Sequence, residues 1–183
     1  DQVYDLGVRY VLLGNLGQIP VAKARGFAIC GDFGLNLWNS RSMNTMRTLG
    51  LASATVSFEL TLPQIRDLSK AVPAEAIFYG RLPLMVTENC LIRGRTGRCD
   101  CRSGATRLMD RKGEEFPVIR DCGTCRSVVL NGKKLYWMDR REDWKALSLY
   151  ALRLLFTTEN PKEVDRVLRS WETAAPFEPG GCT

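Results

Sequence analysis

Short apolar runs alternate with amphipathic stretches along the first ninety residues. The runs at 10–14, 55–60 and 76–79 predict buried strands, the last extending to position 86 across a proline, and the run 34–39 (GLNLWN) predicts another. Helices are predicted over 18–25 and 40–49, and a third begins at Thr61, which with Gln64 has the spacing of a capping box. Strand and helix therefore follow each other at short intervals.

The same pattern returns near the end of the chain. Strands are predicted at 134–138 and 152–157, a helix capped by Asp139 and Glu142 lies between them, and Asn160 with Glu163 opens a last helix. Alternation of this kind is typical of a parallel sheet covered by helices, so the predicted fold class is α/β, with about six βα units. Because a closed TIM-like β/α barrel takes about 250 residues, this chain of 183 residues is expected to be such a barrel lacking its first strands.

The expected organisation has three parts. Residues 1–89 hold βα units, 90–133 form an inserted Cys-rich basic loop, and 134–183 supply the closing βα units and a tail. An open barrel leaves strand edges exposed, which predicts self-association or a barrel segment supplied elsewhere.

Composition narrows the function classes. The chain has 45% hydrophobic residues but no apolar run long enough for a membrane span and no secretory signal at its start, so we expect a soluble, cytoplasmic protein with no membrane partner. It has no histidine, which excludes Ser-His, Cys-His and His-zinc hydrolytic chemistry from this chain alone.

The positive charge is concentrated in one segment. Residues 93–134 contain eleven Lys or Arg and five Asp or Glu, which accounts for the whole net charge of +6. A solvated surface would explain such a segment, and so would an anionic partner such as structured RNA. The RNA-binding candidates are Arg93, Arg95, Arg98 and Arg102.

Cysteine is the most informative residue type. Five of the seven cysteines fall between positions 90 and 125, namely Cys90, Cys99, Cys101, Cys122 and Cys125. Clustered thiolates hold tetrahedral zinc or an iron-sulfur cluster, and from composition alone a four-cysteine zinc site is favoured. The spacing leaves the choice among the five open.

A few polar residues are candidates for substrate binding. Glu59 is predicted at the end of a strand, Asn36 near the end of the GLNLWN strand and Arg81 just after another strand, where it could pair with a carboxylate or phosphate. No catalytic residue can be named. The sequence 110–113 (DRKG) predicts a hairpin turn, with glycine at the position that needs a positive φ.

Several long motifs resemble one known family. They are GRLPLMVTENCLIR, LMDRKGEEFPV, the Cys125-Arg126-Ser127 element followed by Asn131, RLLFTTENPKE, and the earlier runs GNLGQI, GLNLWNS and VSFELTLPQI. On these motifs the chain resembles peptidase family U32, the collagenase-like proteases, over nearly its whole length.

The resemblance implies a β/α barrel whose cysteine quartet carries a 4Fe-4S cluster. Carried onto this chain, the quartet is Cys90, Cys99, Cys101 and Cys125, with Cys122 as a substitute ligand. The middle pair departs from the family pattern, because one residue separates those two cysteines where the family has two or three. Members of this kind insert oxygen into ribosomal RNA, transfer RNA or a quinone precursor, with a small carboxylate, prephenate, implicated as cosubstrate.

Three function hypotheses follow. The first is an iron-sulfur enzyme of RNA hydroxylation or a fragment of one. The second is a collagenase-like peptidase, as the family name states. The third is a non-enzymatic zinc or RNA-binding module.

Overall fold

The computed structural model describes residues 2–98 and 106–173, which divide into two compact units. Among the described residues, the first unit consists of 2–78 with 140–154, and the second of 79–98, 106–139 and 155–173. In the ranges described, no helix combines the length and the apolar character needed to cross a bilayer.

The first unit is built on a parallel sheet. Its strands lie in the order β1-β2-β3-β4-β10, and the first four pair in parallel. The sheet curls into a half-barrel, so the fold is mixed α/β as the alternation of strand and helix predicts. The strand bounds are β1 Tyr10–Leu13, β2 Ala28–Gly31, β3 Ser53–Thr55, β4 Ala74–Gly80 and β10 Ala151–Leu155, the last residues of β4 and β10 belonging to the second unit.

Short helices cover this sheet and bury their apolar side chains. Met43 and Met46 of α3 and Ile65 of α4 are almost fully buried, as are the strand residues Ile29 and Ile77. The Thr61–Gln64 capping box opens α4 as predicted. The helices are α1 Gln2–Asp5, α2 Ile19–Ala24, α3 Ser40–Leu49, α4 Leu62–Asp67 and α6 Arg141–Lys145.

Three predicted elements of this unit are wrong in detail. The strand expected over 55–60 ends at Thr55, because residues 57–60 form a turn in which the Leu60 N–H bonds to the Ser57 carbonyl oxygen. The GLNLWN strand is reduced to one bridge between Leu37 and Val56. No side chain caps α6, where Asp139 and Glu142 were expected to do so.

The second unit contains an antiparallel sheet that the sequence analysis missed. Its strands lie in the order β5-β8-β7-β6. The predicted DRKG turn joins β6 to β7, with Gly113 at φ +84°. The bounds are β5 Pro83–Thr87, β6 Thr106–Met109, β7 Glu115–Asp121 and β8 Arg126–Leu130, and the helix α5 Leu91–Thr96 follows β5.

The strand predicted over 76–86 is therefore two strands. β4 ends at Gly80, whose φ is +129° and where a Cβ would collide with the Leu155 carbonyl oxygen, so that no other residue fits. After this break the chain enters β5 of the antiparallel sheet, which removes the expected continuation across Pro83.

The remaining core of the second unit surrounds Tyr79. This side chain is fully buried against the rings of Tyr136 and Phe156. Tyr136 lies in β9 Leu135–Tyr136, a two-residue strand that pairs antiparallel with Tyr79 and Gly80, where a longer strand over 134–138 was expected. The last helix, α7 Pro161–Thr173, begins at the predicted Asn160–Glu163 pair, which exchanges hydrogen bonds of 2.8 and 3.1 Å.

Candidate functional site

Cys90 stands at the start of α5, directly after the loop that follows β5. Its backbone is extended, and its sulfur accepts a hydrogen bond of 3.4 Å from the Arg93 backbone N–H. A residue with these properties is an N-cap.

Cys125 occupies the turn between β7 and β8. The Asp121 carboxylate fixes this turn by accepting hydrogen bonds from the Thr124 hydroxyl (2.7 Å) and the Gly123 N–H (2.9 Å). These two bonds, the hydroxyl first, lower the pKa of Asp121. Cys125 has a left-handed backbone, φ +58°, which costs a non-glycine residue on the order of 1 kcal/mol. The turn therefore holds this cysteine in an unusual conformation.

The two residues after Cys125 fasten it to the residues before Cys90. Arg126 makes an ion pair of 2.8 Å with Glu88, and the Ser127 hydroxyl donates to the Asn89 carbonyl oxygen at 3.5 Å. The tripeptides ENC (88–90) and CRS (125–127) are thus joined by one ion pair and one hydrogen bond. Sequence reasoning assigned both cysteines to one site only through the family resemblance, not from the residues themselves.

The junction of these tripeptides lines a pocket of about 700 Å³. Both Cys90 and Cys125 belong to its lining, together with Arg93. Cys122 is exposed and is not a lining residue. This arrangement favours Cys125 over Cys122 as the partner of Cys90.

The other predicted ligands, Cys99 and Cys101, lie outside the described residues. Among residues 2–98 and 106–173, no set of three cysteine or acidic side chains is arranged to hold a metal ion. Of the predicted ligands that lie in the described residues, Cys90 and Cys125 line this pocket.

The predicted RNA-binding arginines are only partly described. Arg93 and Arg98 are exposed, while Arg102 and the side chain of Arg95 fall outside the described set. Elsewhere in the basic segment, Arg107 is paired with Glu115 at 2.6 Å. Ion pairs within the sheet therefore reduce the charge that this segment presents.

The substrate-binding candidates occupy different units. Glu59 and Asn36 are exposed in the first unit, Glu59 in the turn after β3 and Asn36 in a left-handed position with φ +51°. Within the described residues, the side chains of Glu59 and Asn36 do not hydrogen-bond to each other. Arg81 is half-buried in the second unit and donates to the carbonyl oxygens of Asn131 and Gly132.

Sequence reasoning missed a charged cluster on the parallel sheet. Arg153 of β10 forms ion pairs with Asp32, at 2.5 Å, and with Glu75 of β4, and it also bonds to the Thr55 hydroxyl at 3.0 Å. About four-fifths of each charged side chain is buried. One guanidinium thus joins the ends of β2 and β3 to β4, and the cluster keeps one excess negative charge.

A second missed cluster surrounds the Tyr79 hydroxyl. Lys134 makes an ion pair of 2.9 Å with Glu159, and the Tyr79 hydroxyl lies 3.3 Å from the ammonium and 3.2 Å from the carboxylate. The Glu159 side chain has no exposed area. Lys134 and Glu159 are 25 positions apart, so no local sequence pattern predicts that they pair. The sequence analysis noted only that Glu159 lies in the family-like motif RLLFTTENPKE.

Comparisons of the chain with protein-family models, curated proteins and solved structures find no match.

Proposed function

We propose that this chain is an iron-sulfur-dependent RNA-modification enzyme, or part of one, of the collagenase-like protease family. On this proposal Cys90 and Cys125 are two ligands of a 4Fe-4S cluster, and Cys99 and Cys101 complete the set. The parallel sheet of the first unit is then a portion of a TIM-like barrel.

The observation that carries the proposal is the junction between ENC and CRS. The antiparallel pairing of β5 with β8, in which Thr87 lies opposite Ser127, brings the two tripeptides together. The Glu88–Arg126 ion pair and the Ser127–Asn89 hydrogen bond add to this pairing, and both cysteines line one pocket. Buried packing does not require such a junction, because Arg126 and Glu88 are both more than half exposed. It is the arrangement needed to hold two ligands 35 positions apart in sequence.

The donor set fits the cofactor. Iron-sulfur clusters are bound by four thiolates, often on loops, and potentials depend on hydrogen bonds to the sulfurs. The Arg93 N–H already donates to the Cys90 sulfur. Bound there, the cluster would supply one-electron chemistry, while the pocket wall and Arg93 would orient an anionic substrate.

Anaerobic purification followed by visible absorption and iron, sulfide and zinc analysis tests the cofactor. We expect a brown protein with about four iron atoms per chain. Cys125→Ser should lose most of the iron, and Cys122→Ser, the matched control on the same turn, should keep it. Stoichiometric zinc without iron in the anaerobic protein would contradict the cluster and leave the zinc module in its place.

The RNA part of the proposal is supported by charge. The segment 93–134 carries the entire net excess of +6, and Arg93 is exposed beside the cysteine pocket. Binding through such groups releases counterions from the phosphates, so affinity should fall steeply with salt. The peptidase alternative has less support, because the chain has no histidine to activate a nucleophile.

A filter-binding titration with a structured ribosomal RNA fragment tests this part. We expect saturable binding at low salt that weakens at least tenfold between 50 and about 200 mM salt, and a further loss in the variant with Arg93, Arg95, Arg98 and Arg102 changed to Glu. Arg41→Glu with Arg47→Glu, a reversal on the exposed face of α3, serves as the control. Equal binding by the loop variant and this control would contradict a specific role for the loop.

A further inference from the structure

A second cavity of the second unit lies apart from the cysteine pair. It has a volume of about 540 Å³, and neither Cys90 nor Cys125 is among its lining residues. The wall combines charged side chains of both signs with the apolar surface of Pro117 and Val118. A cavity of this size accommodates a small organic molecule.

Three of the six charged side chains in this wall, Arg107, Glu115 and Lys134, are in ion pairs. Arg107 is paired with Glu115 at 2.6 Å, and Lys134 with Glu159 at 2.9 Å. The Glu163 carboxylate accepts the Asn160 N–H and so serves the first turn of α7. Three charged side chains of the wall have no ion pair within the described ranges, namely Arg81, Glu114 and Glu163, and of these Glu163 is engaged at the start of α7.

Arg81 has only neutral partners in the described chain. Its Nη1 donates to the carbonyl oxygens of Asn131 and Gly132, which fixes the guanidinium without neutralising it. Its Nε is buried and has no hydrogen-bond partner among the described residues. A buried donor without an acceptor is costly, so a ligand that adds a counter-charge to this guanidinium would offset part of the cost.

Glu114 lies beside the same glycine, Gly132. Its Oε1 is so close to Gly132 that a Cβ at this position would collide with it. The hairpin turn holds its backbone, since the Glu114 N–H donates to the Asp110 carboxylate at 2.9 Å. The half-buried carboxylate makes no ion pair within the described ranges.

We propose that this cavity binds a small zwitterion of the α-amino acid class. The ligand carboxylate pairs with Arg81, its ammonium group pairs with Glu114, and an apolar side chain packs on Pro117 and Val118. An anion alone would leave Glu114 uncompensated, and a cation alone would leave Arg81 uncompensated. This site is independent of the cysteine pocket, so it stands whether or not a cluster is present.

Isothermal titration of the full chain with L-leucine, L-valine and L-phenylalanine tests the proposal. At least one should bind saturably, and its N-acetyl derivative and its amide, which each lack one charge, should bind about tenfold or more weakly. Glu114→Gln should weaken binding of the amino acid to the same extent, because it removes the negative charge and keeps the side-chain shape. Glu142→Gln, the same change at an exposed acid of the first unit, should leave binding within twofold.

Two results would overturn the inference. One is the absence of saturable binding by all three amino acids up to about 10 mM. The other is equal affinity for the N-acetyl form, or an unchanged affinity in a Glu114→Gln variant that unfolds at the wild-type temperature. Either result would leave Arg81 as a structural link between β4 and the carbonyl groups that follow β8.

Discussion

The buried Lys134–Glu159 ion pair allows the sharpest test of the structure. The test is Glu159→Gln, which keeps the shape of the side chain and removes its charge. Glu159 has no exposed area, whereas 14% of the Lys134 side chain is exposed. The variant therefore leaves an ammonium group in a largely dry environment without its counter-charge.

The magnitude follows from the geometry. At 2.9 Å and an effective dielectric constant of 20, the gross attraction is about 6 kcal/mol, part of which desolvation of both groups offsets. Removing one partner of a buried pair costs about 3–5 kcal/mol. Because Lys134 can recover some hydration, we expect the free energy of unfolding to fall by about 3 kcal/mol.

The pH dependence gives an independent signature. Burial raises the pKa of Glu159, but the Thr157 N–H and the Lys134 ammonium lower it by more, so its pKa lies below the ordinary carboxyl value. The stabilisation from Glu159 is therefore fully present above about pH 4.3 and is lost as the pH falls through the lowered pKa. The difference between wild type and Glu159→Gln should be constant near neutrality and shrink under acid conditions.

Urea unfolding followed by tryptophan fluorescence, between pH 3 and 7.5, measures both effects. Lys134→Met combined with Glu159→Gln should recover at least half of the loss, since it also removes the unpaired charge. Glu142→Gln breaks an exposed pair with Lys145 and should cost less than about 0.5 kcal/mol. If Glu159→Gln matched that control at pH 7, the buried pair would not be present in solution.

Three further predictions concern other parts of the molecule. Arg153→Met should destabilise the first unit by about 3 kcal/mol in the same unfolding assay, because it leaves two largely buried carboxylates without a counter-charge. A loss of stability under about 1 kcal/mol would contradict the cluster. The edge strand β1 exposes about two-thirds of Tyr10 and half of Leu12, so we expect the protein to self-associate through this edge. Leu12→Lys should then give monomers by light scattering, and a monomeric wild type would refute the expectation. Arg126→Glu should lower iron incorporation and the charge swap with Glu88→Arg should restore it, whereas no rescue would show that their ion pair does not position Cys125.

The sequence by itself determined what depends on neighbours along the chain. The Thr61 capping box and the DRKG hairpin turn are formed as predicted, since a cap and a tight turn use contacts three or four residues apart. The alternation of apolar and amphipathic runs indicated the parallel sheet for the same reason. Local pattern failed where the backbone changes course: Gly80 ends β4, and no signal in the apolar run to Val86 announces the second, antiparallel sheet.

Only the tertiary structure decided which distant residues meet. Cys90 and Cys125 line one pocket because β5 pairs with β8 so that Thr87 lies opposite Ser127, a long-range pairing that residue type alone does not announce. The Arg153 cluster likewise brings together residues at or beside β2, β3, β4 and β10, which are 20 or more positions apart in the sequence. Side-chain pairing across a sheet depends on strand order and register, which the chain acquires only when its apolar faces pack together.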